Sequence, residues 1–302
     1  MPPFRRVALI GLGLIGSSIA RAVRARMPGV ALAGHDRDAD VCETVRRLGL
    51  VDEVAETAAA AARGADLVVL AVPLGAMRAV GEAVREALAP GAVLTDVGSS
   101  KQAVIDALGD LVPAGVHFVP GHPVAGTERS GPEAGFASLF EGRWCILTPP
   151  DGTDPEVLGR LEAFWTGLGA RVERMDARHH DLVLAITSHL PHLIAYSIVG
   201  TASDLEEVTK AEVIKYSAGG FRDFTRIAAS DPTMWRDVFL MNRDAVLEML
   251  ARFSEDLAAL QRAIRWGDGE TLYRRFEASR AIRRAIVDAG QDTPAPDFGR
   301  SH

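Results

Sequence analysis

His122 closes an apolar run in FVPGHPVAGTE (118–128), set between Gly121 and Pro123. A neutral imidazole is the usual side chain for taking a proton near neutral pH. TSHLPHLIAY (187–196) places His189, His192 and Tyr196 three and four residues apart, on one face of a helix. DVGSSK (96–101) ends a strand-like run, and GGFRDFTRIAASDPTMWRD (219–237) reads as a loop rich in glycine and charge that carries Arg222, Arg226 and Trp235. These parts suit oxidation of an alcohol: a base beside the hydroxyl, a second donor to fix it, and cations for an anionic substrate.

GLGLIG supplies glycines at 11, 13 and 16, with Leu14 and Ile15 between the last two, after a strand and at the start of a helix. In that context Gly11 makes a tight turn, Gly13 lets a pyrophosphate approach the backbone, and Gly16 lets helix and strand pack closely. The helix N-terminus then offers N–H groups to the phosphates. Asp36 ends the next strand, 20 residues after Gly16. Its carboxylate would accept from the adenosine ribose and repel a 2′-phosphate, which favours NAD. Arg37, beside it, can pair with a 2′-phosphate, so NADP stays in second place. In VPLGAM (72–77), Val72 and Pro73 follow a strand and would wall the cofactor.

The elements that must position these residues change character along the chain. Strand and helix alternate up to about residue 175: strands at 6–13, 30–36, 65–73, 92–100, 117–121, 144–150 and 170–175, and helices at 14–26, 38–49, 55–63, 75–88, 101–111 and 155–169. A serine N-cap is expected at 99–100. The pattern predicts an α/β fold, an N-terminal Rossmann-type, doubly wound, mostly parallel sheet over residues 1–175. Residues 176–290 read as helices only, an all-α domain, and 291–302 as a disordered tail. The net charge of −7 argues against a nucleic-acid partner. Two cysteines, Cys42 and Cys145, without metal spacing suggest a reducing compartment. With no signal peptide and no segment approaching a membrane span, a cytoplasmic protein is expected. His179, His180 and the later histidine pair lack a cysteine or glutamate to complete a metal set, so no metal is expected.

GLGLIG, GHPVAGTE, SHLPH and GFRDFTRIA together resemble the prephenate/arogenate dehydrogenase family of tyrosine biosynthesis, over about residues 6–285. The resemblance implies NAD-dependent oxidative decarboxylation of a cyclohexadienyl substrate: hydride leaves the hydroxyl-bearing ring carbon, CO₂ is lost and the ring becomes aromatic. It implies that His122 is the catalytic histidine and that Ser99 orients it and the hydroxyl. Arg226 would bind a substrate carboxylate, while Thr127, His180, Ser188, His189 and His192 would surround the substrate. Glu128, Arg222 and Asp223 would form a charged group at the pocket mouth. Trp235 would approach the substrate side chain from a partner subunit in a homodimer built by the helical half. Tyrosine feedback, if present, would act at the active site. Prephenate against arogenate stays open, with Trp235 inclining towards prephenate.

Two other readings fit the same plan. A 2-hydroxyacid or imino-acid dehydrogenase would use a lysine on the helical domain, where Lys210 and Lys215 are the candidates; they lie away from the histidine motif. A non-catalytic NAD-sensing module would lack an aligned proton acceptor, which His122 argues against.

Overall fold

Alternation within the strands builds two cores. In the computed structural model, which describes residues 2–127, 129–204, 212 and 219–288, β1 (Arg6–Ile10) and β4 (Leu67–Leu70) lie at the centre of a sheet. Val7, Leu9, Leu67 and Val69 join one buried cluster, while Ala8, Ile10, Val68 and Leu70 join another. The first cluster is completed by Ile19 and Val23 of α1 (Leu14–Arg26) and by Leu161, Phe164 and Trp165 of α6 (Pro155–Gly167). The second is completed from α3 (Ala58–Ala62), α4 (Met77–Val84) and α5 (Lys101–Leu108). A strand buried on both faces needs a continuous apolar run, which LVVL supplies.

The order in this sheet is β3-β2-β1-β4-β5-β6, all parallel, with β2 (Ala31–His35), β3 (Glu53–Val54), β5 (Val93–Asp96) and β6 (His117–Phe118). Strand order reverses between β1 and β4, where open α/β sheets form a crevice at the strands' carboxyl ends. α2 (Ala39–Leu48) follows β2 and stops at Gly49, whose φ of 61° favours glycine. The fold is the doubly wound parallel sheet followed by helices that the alternation predicts.

Several expectations need correction. HFVPG is not one strand: β6 stays in the parallel sheet, and β7 (Gly121–Pro123) crosses into a second sheet of order β7-β8-β9. There His122 pairs antiparallel with Ile146 of β8 (Trp144–Leu147), and β8 pairs parallel with β9 (Arg171–Arg174). Pro120 marks the exit, since proline cannot donate to a sheet ladder. The expected loop at 219–237 is mostly helical: α9 (Gly219–Thr225), a 3-10 turn over Arg226–Ala229, and α10 (Pro232–Met241). Asp231 caps α10 through the Met234 N–H, with Pro232 at its first position, so the breaker residues start a helix there. The serine cap also fails. Ser100 occupies the cap of α5 but makes no cap bond; Asp181, from another helix, accepts the N–H groups of Lys101 and Gln102 instead.

The helical part opens with α7 (Ala177–Leu184), a π-helical turn over Ala185–His189 and α8 (Leu190–Ser203). Against the expectation of no span-length segment, this continuous helix of 27 residues, with a mean hydropathy of 1.6 over its most apolar window, is long and apolar enough to cross a membrane by length and composition. The expectation failed because His180, Asp181, His189 and His192 punctuate the run without lowering its average much. Their buried bonds, described below, tie the helix to the fold. Residues 206–218, expected as a helix, Lys210 and Lys215 among them, lie largely outside the described residues, as does the expected tail.

Residues Met1–Val246 form one compact unit and Leu247–His302 a second. In the second, α11 (Arg243–Trp266) continues from the first unit and is followed by α12 (Gly269–Asp288). Leu257, Ile264, Trp266, Tyr273, Phe276 and Ile282 are exposed on these helices, with Trp266 80% exposed.

Candidate active site

The glycine loop is shaped by backbone contacts. Gly11 has φ 97°, and a Cβ there would overlap the Ala71 carbonyl. A Cβ on Gly16 would overlap the Gly11 carbonyl, so the helix sits hard against the turn. Gly13, the N-cap of α1, has nothing within 4 Å of where its Cβ would be. An open, side-chain-free helix start of this kind suits the close approach of a pyrophosphate. Leu14 and Ile15 are half-buried beside it, as is Asp36. Asp36 accepts the Leu12 N–H at 2.8 Å and the Asp38 N–H at 3.0 Å, so it braces the loop from the end of β2. Arg37 is exposed. Val72 is half-buried and Pro73 exposed on the turn after β4, and Gly75 there leaves room for Asp237 of α10.

At the carboxyl end of β5, Asp96 and Lys101 form an ion pair at 2.5 Å, with both side chains fully buried. Such a pair is tolerated only when its remaining hydrogen-bonding groups are met. Here Asp96 also accepts the N–H groups of Gly98 at 2.7 Å and Gly121 at 3.1 Å, and the Lys101 ammonium donates to the Gly121 carbonyl at 2.5 Å. Both polar backbone atoms of Gly121 are thus held, directly before His122. Burial pushes the Lys101 ammonium below its ordinary value, against the opposing pull of Asp96.

His122 is 8% exposed. Its Nδ1 lies 2.8 Å from Nε2 of His180, and Nδ1 of His180 lies 2.8 Å from the Asp181 carboxylate. Burial pushes the Asp181 carboxyl up, but bonds from His180 and from the Lys101 and Gln102 N–H groups outweigh it, and it stays below the usual carboxylate range. The ionised carboxylate takes the Nδ1–H of His180. His180 then offers Nε2 as an acceptor for the Nδ1–H of His122, which leaves Nε2 of His122 with a lone pair. Burial, reinforced by His180, Lys101 and His189, holds His122 well below the ordinary histidine range, so the ring is neutral. Burial lowers His180 as well. The chain yields a fixed, uncharged proton acceptor.

The helical side carries a second set, of which His189 is near enough to act on His122. His192 stacks on Trp235 with ring centres 3.6 Å apart, and His189 meets the same indole edge-on at 6.0 Å. Trp235, which the resemblance implies reaches over from a partner, is buried within its own chain. Nδ1 of His192 bonds the Ser188 carbonyl at 2.9 Å, and Ser188 is half-buried on the π-helical turn. Burial lowers His192, and the Arg226 cation adds to that, which brings Arg226 into the same neighbourhood. Tyr196 donates to the Ser230 carbonyl at 2.8 Å and packs on the core cluster that contains Trp235.

Other expected site residues make no described bond to these histidines. Arg222 and Asp223 form an exposed pair at 3.7 Å, with no described link to the histidines. Thr127 is exposed and accepts the Arg129 N–H. Ser99 is half-buried on the turn into α5. Glu128 lies outside the described residues. His179 is exposed while His180 is buried. Sequence reasoning missed Asp96, Lys101, Asp181 and Asn242. Asp96 and Lys101 stand at the two ends of the quoted DVGSSK, and a lysine opening a helix beside a buried strand was the available signal; Asp181 and Asn242 left none.

Comparison with known proteins agrees along the chain. The nucleotide-binding domain of prephenate dehydrogenase matches residues 19–174, and its dimerization domain matches residues 176–278. A cyclohexadienyl dehydrogenase of Zymomonas mobilis is 44% identical over 95% of this chain and 97% of its own. A prephenate dehydrogenase of Bacillus subtilis is 34% identical over 93% of this chain and 76% of its own. The crystal structure of A. aeolicus prephenate dehydrogenase in complex with hydroxyphenyl propionate and NAD+ aligns with a TM-score of 0.87 at 33% identity, over 93% of this chain and 98% of that one. Synechocystis arogenate dehydrogenase aligns with a TM-score of 0.79 at 28% identity, over 93% and 99%. With both domains matched in order and the Zymomonas relative covered almost end to end, the chain belongs to the prephenate dehydrogenase family.

Proposed function

We propose that this protein is an NAD-dependent prephenate dehydrogenase, converting prephenate to 4-hydroxyphenylpyruvate with loss of CO₂. The observation that carries the reading is the His122–His180–Asp181 chain, which leaves Nε2 of a neutral histidine as a proton acceptor. The glycine loop, with its open position at Gly13 and Asp36 behind it, fits a dinucleotide. Bound there, NAD⁺ would accept the hydride lost from the ring carbon. His122 takes the proton from the ring hydroxyl as the carbon–oxygen bond gains double-bond character. Arg226 holds a substrate carboxylate, and His189, His192, Ser188, Thr127 and Trp235 confine the rest of the ring and its side chain. Ser99 steadies the hydroxyl, and Glu128, Arg222 and Asp223 guard the entrance. Orientation and one proton acceptor suffice, because aromatisation drives the step.

The names of the Zymomonas and Synechocystis relatives favour a second reading, a cyclohexadienyl or arogenate dehydrogenase on the same site. One assay separates them: reduction of NAD⁺ and of NADP⁺, each with prephenate and with arogenate. NAD⁺ with prephenate is expected to be the fastest pair. A faster rate with arogenate selects the second reading, and no reduction in any combination refutes both.

The protein is further read as a soluble, cytoplasmic homodimer, with residues 1–175 as the dinucleotide domain and 176–290 as the helical domain. The uncovered apolar side chains of α11 and α12 support pairing of that half. Tyrosine, resembling the product, would compete at the same site, and inhibition insensitive to substrate concentration would rule that out.

A further inference from the structure

The backbone carbonyl of Asp181 only accepts, so the Asn242 side-chain atom 2.8 Å from it is the amide nitrogen. That same nitrogen lies 3.0 Å from Nδ1 of His189. An amide NH₂ has two hydrogens and no lone pair to offer. One hydrogen goes to the Asp181 carbonyl and the other to His189, so Nδ1 of His189 is the acceptor and the ring proton sits on Nε2. His189 is fully buried, and its Nε2 has no hydrogen-bond partner among the described residues. A buried N–H without a partner is costly, and native proteins keep few of them without a reason.

We propose that Asn242 is a positioning residue that fixes His189 as a neutral Nε2–H donor, and that this donor is met by an acceptor oxygen of the bound substrate, a carboxylate or keto group. The proposal deepens the dehydrogenase reading and rests on it for the substrate. Asp181 stands behind both histidines. Its carboxylate, acting through His180, makes His122 an acceptor; its carbonyl, acting through Asn242, makes His189 a donor. Burial lowers His189 to about 4, so the ring stays neutral where the enzyme works. Asn242 is itself 5% exposed, at the break between α10 and α11, where φ −103° and ψ 32° leave the helical region.

The test starts with the wild-type enzyme labelled with ¹⁵N-histidine. Long-range ¹H–¹⁵N correlation, with the His189 signal assigned through H189Q, reads the tautomer directly. The proton is expected on Nε2; finding it on Nδ1 overturns the proposal. In N242D the carboxylate accepts from the ring, so the proton should move to Nδ1. KM for prephenate should then rise about tenfold, the worth of one hydrogen bond, while KM for NAD⁺ stays unchanged. A shifted tautomer with an unchanged prephenate KM overturns the substrate contact. If N242D does not fold, H189Q, which keeps an N–H donor, is compared with H189L. A KM rise confined to the leucine variant supports the donor, and equal values remove it. A wild-type enzyme inactive on every cyclohexadienyl substrate defeats the functional reading alone, because the tautomer still decides the part played by Asn242.

Discussion

The glycine loop and the histidine chain both present groups to a ligand, yet they are built from opposite materials. The loop is backbone: its turn, its open position and its close packing come from three glycines within six residues. The chain is side chains gathered from afar: His122 meets a histidine 58 residues on, and Lys101 and Gln102 meet Asp181 at separations of 80 and 79. Backbone sites are local and survive many neighbouring changes. Networks of side chains depend on each member, because removing one leaves another buried and unmet.

That contrast can be broken most severely at His122. His122→Asn should lower kcat about a thousandfold while the substrate KM changes little. A near-normal kcat would remove the histidine chain from the chemistry and leave only the loop as a functional feature.

The loop's own division of labour is the next target. Gly16→Ala drives a methyl into the Gly11 carbonyl and should cost about 1–3 kcal/mol of stability, read as a lower urea midpoint. Gly13→Ala meets open space, so stability should change by less than about 0.5 kcal/mol, while KM for NAD⁺ rises about tenfold. Equal destabilisation by both would show that the loop is no more local than the network.

A smaller effect sharpens the comparison through pH. His122, His180, His189 and His192 are all held below their ordinary values by burial. An unfolded histidine takes its proton near about 6.5. As pH falls below that, the unfolded state binds more protons than the folded one, so stability falls; above it these groups contribute no pH dependence. The urea midpoint should therefore drop between pH 7.5 and 5.5, and a flat midpoint would mean the histidines are not kept neutral.

What could be read beforehand follows the same divide. The alternation of strand and helix and the continuous apolar runs made the parallel sheet legible, and GLGLIG made its loop legible, because each signal lies within a few neighbouring residues. The departure of HFVPG into a second sheet was not, since nothing local says which neighbour a strand will pair with after Pro120. His122, His180, His189 and His192 were legible as candidates. Their protonation roles were not, because those depend on Asp181 and Asn242, which look ordinary in sequence. The capping of α5 by a residue 80 positions away belongs to the same class. The stretch 219–237 misled in the other direction, its glycines, aspartate and proline reading as a loop when they mark the start of helices.

The π-helical turn at Ala185–His189 bears on how the chain tolerates insertion and deletion. A π turn carries one residue more than the α-helix it interrupts. Removing a single residue there would let the helix close up with its ordinary ladder intact. The extra residue is taken up inside the turn, so the helix beyond it would keep its phase relative to His180 and Asp181. A deletion in the regular stretch on either side has no such slack and would turn everything beyond it by about 100°. The π turn is therefore the one place in this helix where the chain can lose a residue without swinging His192 away from the histidines before it.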